Sequence, residues 1–172
     1  MKKVLLFLIF ISCFIIPSMK LSAKSLYPEK DKYVIVIDPG HGGRDGGAVP
    51  NGTKEKDVNW NIAVSFKAEL QAYEGVKVYL TKGFGEWNSN TGRGRFGKIL
   101  GADVFISCHN NSGANADARG AMVFGTVNSQ YSEQMKNLGN IILRNLSELG
   151  IPNSGYRQRG STDNPAVDFY TA

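Results

Sequence analysis

The chain has 172 residues, 42% of them hydrophobic and 20% charged. That is enough apolar mass for one packed domain, and it excludes a long disordered chain. The formal charge is +5, but Lys2, Lys3 and Lys20 fall within residues 1–23; without them 17 basic residues face 15 acidic ones. A strongly basic, polyanion-binding protein is therefore not indicated, and no nucleic-acid motif is present.

Residues 1–23 read as a secretory signal peptide. Lys2 and Lys3 precede an apolar run from Val4 to Ile16, followed by Pro17 and a Leu21-Ser22-Ala23 cleavage site. The run is shorter than the ~20 residues of a spanning helix. An uncleaved N-terminal anchor is the alternative. Cys13 raises a lipoprotein reading, which the apolar Phe14-Ile15-Ile16 after it opposes. Membrane contact is expected only through this leader during export. Cys108 is then the one cysteine left, so no internal disulfide is possible and a buried, inert thiol is expected.

Residues 24–32 read as a polar linker. Residues 33–37 form a continuous apolar run, the pattern of a strand covered on both faces. A long glycine-rich connection follows, with Gly40, Gly42, Gly43, Gly46 and Gly47, and reaches about Lys56. Strand-to-helix loops usually take ~2–6 residues, so one this long points to function. Residues 57–73 carry Val58, Ile62, Phe66, Leu70 and Tyr73 at helical spacing. Strand 76–81, a polar loop, a helix over 93–100 weakened by Gly94 and Gly97, and strand 103–108 come next. Residues 121–127 read as a fourth strand. Tyr131, Met135, Leu138, Ile142, Leu146 and Leu149 make a second helical stripe, stopped by Gly150 and Pro152. Alternating strands and helices imply βαβ units and a mostly parallel sheet.

The chain has two histidines, His41 and His109, each just past an apolar strand. Beyond the carboxyl ends of parallel strands, such side chains gather along one sheet edge. A catalytic zinc site typically takes three protein ligands and leaves one position open. Glu55, at the end of the glycine loop, is the best third ligand. Zinc held this way polarises a carbonyl and brings the pKa of water to ~7. The residues alone also allow a plainer reading. Either histidine can be a hydrogen-bonded structural residue, Glu55 a favourable charge at a helix N-terminus, and the glycines a phosphate cradle lacking P-loop and dinucleotide spacing.

Asp38-Pro39-Gly40-His41-Gly42-Gly43, Asp45, Gly47, Ala48 and Glu55-Lys56-Asp57-Val58-Asn59 together resemble N-acetylmuramoyl-L-alanine amidase family 3. So do Leu80-Thr81-Lys82, Arg93 and the run from Ala102 to Asn111. The resemblance covers about residues 33–127. It implies a zinc-dependent, exported hydrolase of bacterial peptidoglycan, secreted and associated with the cell wall. It would cut the amide between the lactyl group of N-acetylmuramic acid and L-alanine. The fold implied is α/β in three layers, with helices on both faces of a mostly parallel sheet, over a catalytic domain spanning residues 33–172. His41, Glu55 and His109 become the zinc ligands. Asp38 is placed to orient His41, Arg93 is given a structural role, and Asn111 either touches substrate or caps the loop after the strand.

The sequence departs from the family at its end. Members carry a second glutamate in a late strand, resembling Pro-Ala-Val-Leu-Val-Glu-x-Gly-Phe, that serves as general base. Here Pro165-Ala166-Val167 is followed by Asp168-Phe169-Tyr170, read as the short strand before that segment. Glu133 and Glu148, on the last helical stripe, read as surface charges. The expectation is a C-terminally incomplete catalytic domain, lacking its last strand or strands, its final helix and the base. Loss of a general base typically costs ~10²–10⁴ in rate, so the chain as written is expected to be impaired. The alternative function is a non-catalytic peptidoglycan-binding or regulatory protein derived from an amidase. A third reading keeps the zinc hydrolysis and moves it to a bond within the stem peptide.

Overall fold

The computed structural model describes residues 31–110, 119–127 and 130–160. The leader, most of the linker, Asn111 and the strand expected at residues 168–170 lie outside them.

Strand β1 (Tyr33–Pro39) is the axis of the site-bearing sheet, with β2 (Val76–Leu80) on one side and β3 (Val104–Cys108) on the other. Both pairings are parallel, and the register sets Ile37 opposite Leu80 and Pro39 opposite Cys108. The β1 core positions Val36 and Ile37 are fully buried, as its unbroken apolar run demands. Helix α1 (Glu55–Leu70) joins β1 to β2, and α2 (Asn90–Ile99) joins β2 to β3.

Alternation along the strands separates two faces. Ile37, Val78 and Ala63 of α1 form the buried cluster, with Ile35, Phe66, Leu70, Val76, Leu80 and Cys108 packed around it. On the other face, Phe105 is the register partner of Val36, and α2 meets it closely enough that a Cβ on Gly97 would lie 2.9 Å from the ring. Ser89 caps α2 by accepting from the Gly92 amide.

A second parallel pair, β4 (Ala121–Gly125) and β5 (Asn153–Gln158), is joined by α3 (Ser132–Glu148), which packs on both strands. Strand β5 was not expected. Its Asn-Ser-Gly-Tyr-Arg-Gln composition lacks an apolar run, and its pairing slips between Ala121 and Val123.

Both predicted helical faces need correction. On α1, Phe66 and Leu70 of the expected stripe pack against the core, but the buried positions are Glu55, Asn59 and Ala63, Ile62 is 43% exposed, and Tyr73, past the helix end, is 61% exposed. The inward face is partly polar because it serves the site described below. On α3, Gly139 and Leu143 are buried, while Tyr131, Met135, Leu138 and Leu149 of the expected stripe are exposed. No described helix is long and apolar enough to cross a membrane.

Candidate metal centre

The register of β1 on β3 decides where the two histidines meet. Pro39 pairs with Cys108, and the Gly40 amide extends the ladder by donating to the Cys108 carbonyl at 2.9 Å. His41 and His109 therefore leave adjacent strand ends. Their rings stand edge to face with centroids 4.8 Å apart. Gly40 permits this approach, since a Cβ there would lie 2.4 Å from His109 Nε2.

Glu55 closes the triangle. It is the first residue of α1, where the helix N-terminus favours a negative charge. Oε2 lies 3.3 Å from His41 Nε2 and Oε1 lies 3.1 Å from His109 Nδ1. One donor atom from each of the three residues falls within 4.8 Å of the others. Tetrahedral ligands at the ~2.0–2.1 Å typical of zinc stand about 3.3 Å apart, so these spacings suit a small divalent cation. The donor chemistry suits it equally, being two imidazole nitrogens and a carboxylate.

The loop is built to hold that triangle. Residues 42–45 close a tight turn by two reciprocal backbone bonds, Gly42 N to Asp45 O at 2.8 Å and Asp45 N to Gly42 O at 2.9 Å. His41, entering this turn, adopts φ 61°, a left-handed conformation costing roughly 1–2 kcal/mol for a residue with a side chain. Surrounding bonds sustain it. Arg93 Nη2 donates to the His41 carbonyl at 2.7 Å, and Asp45 Oδ2 lies 2.9 Å from His41 Nδ1. Gly47, at φ 64°, lies so close that a Cβ would come within 2.6 Å of His41 Cδ2 and 2.8 Å of Glu55 Oε2.

Glu55 is fixed on all sides. The Ala48 amide donates to Oε2 and the Asn110 amide to Oε1, both at 2.9 Å. Asn59, one helical turn on, donates to the Gly40 carbonyl at 3.2 Å and accepts from Asn110 Nδ2 at 2.8 Å. Burial pushes the Glu55 carboxyl up, but the two amides and the two histidines outweigh it and hold the carboxyl below its usual value. An ionised carboxylate is the form that binds a cation. For Asp45, the hydrogen bond with His41 is the main cause of a lowered pKa.

The family model for N-acetylmuramoyl-L-alanine amidase matches residues 35–170. This chain belongs to that family. Among curated relatives, it is 42% identical over 80 residues to a sporulation-specific N-acetylmuramoyl-L-alanine amidase of Bacillus subtilis, covering 46% of this chain and 31% of the relative. It is 35% identical over 132 residues to AmiC, the N-acetylmuramoyl-L-alanine amidase of Neisseria meningitidis, covering 72% of this chain and 30% of the relative. The chain thus spans about a third of the length of these two relatives. Among solved structures, the amidase AmiC2 of Nostoc punctiforme superposes with a TM-score of 0.65 at 33% identity, covering 76% of this chain and 71% of that one. Cwp6 of Clostridium difficile superposes with a TM-score of 0.73 at 26% identity, covering 81% and 22%.

Within this amidase-family domain, the reading of Asp38 is corrected. Its carboxylate accepts from Arg93 Nη1 at 2.7 Å, from Ser107 Oγ at 2.7 Å and from Thr81 Oγ1. The partner of the His41 ring is Asp45 instead, four residues on in the same turn. Among the described residues, Asp38 reaches the site through Arg93, which also donates to the Pro39, His41 and Asn88 carbonyls. Arg93 is a buried clamp on the histidine loop. The sequence motifs include Asp45, Asn59 and Asn110 but give none of them a role at the site. The i to i+4 spacing of Glu55 and Asn59 was the available signal. Cys108 is partly buried, and desolvation pushes its thiol up to about 11.

Lys82, in the Leu80-Thr81-Lys82 motif, is likewise given no role. It is 9% exposed, with Nζ 5.7 Å from the Trp60 ring centroid. Desolvation lowers its pKa, aided by Arg93 and Lys56 and opposed by Asp38 and Glu86. Between this lowered value and the unfolded value of about 10.4, the unfolded chain binds more protons than the folded one. Stability contributed by this group therefore rises with pH across that window. Relative to Lys82→Met, the wild type is expected to gain unfolding stability from neutral pH toward about pH 10. Urea titrations across that range check it; a constant or opposite difference refutes it.

Proposed function

We propose that this protein is a zinc-dependent hydrolase that cuts the amide between N-acetylmuramic acid and L-alanine in bacterial peptidoglycan. The observation that carries the reading is the convergence of His41, Glu55 and His109 in a chain of the amidase family. These three residues would hold the ion, His41 through Nε2 and His109 through Nδ1. When bound, zinc supplies Lewis acidity toward an amide carbonyl and toward water. The Asp45 carboxylate, 2.9 Å from His41 Nδ1, can accept a hydrogen bond from Nδ1–H, the tautomer that leaves Nε2 free as a ligand. The Ala48 and Asn110 amides keep the Glu55 carboxylate aimed and ionised. Glu133 and Glu148 are exposed on α3, and neither is assigned the proton-transfer role.

The same reading makes residues 1–23 a leader, 24–32 a linker and residues from 33 onward the catalytic domain. The protein is exported and meets peptidoglycan, not nucleic acid, at the wall. Asp45→Ala is expected to weaken zinc binding ~10–100-fold, the usual cost of losing a carboxylate behind a histidine ligand. Competition with a zinc indicator measures this, and wild-type affinity in the variant would remove Asp45 from the site.

The cleaved bond is tested by digesting purified peptidoglycan with zinc-loaded protein expressed from its whole reading frame. Mass spectrometry should show stem peptides beginning with a free L-alanine amine, beside glycan strands retaining the lactyl carboxyl. Cuts inside the stem would make it a peptidase. Binding without any cut would favour the non-catalytic wall protein.

A further inference from the structure

The turn that carries His41 has an outer side, and the loop after β2 is packed against it. Gly43 lies so close to Trp87 that a Cβ there would come within 2.8 Å of the Trp87 Cβ. The Arg44 guanidinium sits 5.3 Å from the Trp87 ring centroid. Phe84, on the same loop, makes an edge contact with Trp60 of α1 at 5.6 Å. Two of the nearby cations are engaged inward. Lys56 Nζ donates to the Gly43 carbonyl at 2.7 Å, and Lys82 is buried over Trp60. This loop shows solvent two large aromatics, Phe84 71% and Trp87 51% exposed, with the exposed Glu86 between them. Two large exposed aromatics on one short loop mark a contact surface.

We propose that Trp87 and Phe84, with Arg44 bracing the Trp87 ring, form a subsite for the glycan strand, a sugar packing its C–H face on the indole. This rests on the amidase reading, because the lactyl group attaches directly to the sugar ring. A scissile bond at the His41–Glu55–His109 triangle then places a sugar beside it. The tie between the two is the turn itself, since Gly43, which touches Trp87, is two residues from His41. The surface suits the neutral, flat-faced glycan better than the acidic stem, since Lys56 and Lys82 are turned inward and the exposed Glu86 offsets the exposed cation there, Arg44.

The chain has two tryptophans, Trp60 and Trp87, and both lie here, so intrinsic fluorescence reads the subsite. Metal-free full-frame protein is titrated with the tetramer of N-acetylglucosamine, and separately with a free stem peptide. The tetramer should change the emission saturably, and should still do so in Trp60→Phe. Trp87→Ala should weaken binding about tenfold, the scale of one aromatic contact, as read by calorimetry, with Trp87→Phe intermediate and thermal unfolding close to wild type. Wild-type affinity in a folded Trp87→Ala protein overturns the proposal. So does a response to the stem peptide alone, or no response to the tetramer. Glycan binding does not require zinc. Tetramer binding without peptidoglycan cleavage therefore defeats the amidase reading alone. Cleavage with an unchanged KM in Trp87→Ala defeats the subsite alone.

Discussion

Glu55→Gln is expected to abolish stoichiometric zinc binding and, with it, peptidoglycan cleavage. The loss should exceed the ~10–100-fold typical of a residue that only supports a ligand, because Glu55 both completes the donor set and organises it. Its two oxygens lie against His41 and His109 and accept from the Ala48 and Asn110 amides. An amide side chain removes the charge and turns a donor NH₂ toward one of those N–H groups. That mismatch should also cost ~1–3 kcal/mol of stability. Zinc-indicator competition and urea unfolding measure the two effects separately. A variant that binds one zinc with wild-type affinity would show that the ion sits elsewhere.

Arg93→Met should be the most damaging single change to stability, by roughly 3–5 kcal/mol. It strands the buried Asp38 carboxylate and frees the Pro39 and His41 carbonyls together. Domains of this kind have only ~5–15 kcal/mol in total. The double variant Asp38→Asn, Arg93→Met should lose less than the sum of its singles, because the stranded charge is gone. Chemical denaturation of the four proteins decides it, and strict additivity would mean that the pair does not act as a unit. Zinc should recover part of the loss, since holding the His41 loop and binding the ion favour the same conformation.

Much of this was legible in the sequence because it rests on strong local signals. The apolar run of β1 and the histidines at two strand ends were enough to set His41 and His109 at one sheet edge. The long glycine loop marked Glu55. Three features escaped, each for a physical reason. The polar part of the α1 face escaped because Glu55 and Asn59, buried to serve the site, carry no hydrophobic signal. Strand β5 escaped because its stability comes from pairing with β4 and packing under α3, not from its own polar residues. Asp45 was overlooked in favour of Asp38 because sequence distance does not reveal a turn. The bonded turn at residues 42–45 swings Asp45 onto the His41 ring, while Asp38 points across the sheet to Arg93, Thr81 and Ser107.

An ion held by His41, Glu55 and His109 is expected to drive amide cleavage. The most direct test is to strip the full-frame protein of metal and follow release of L-alanine amines from peptidoglycan as zinc is added back. The rate should rise linearly and break at one equivalent, and Glu55→Gln should stay flat throughout. Cleavage by the stripped protein that ignores added zinc, or a break at one equivalent that survives in Glu55→Gln, would contradict it.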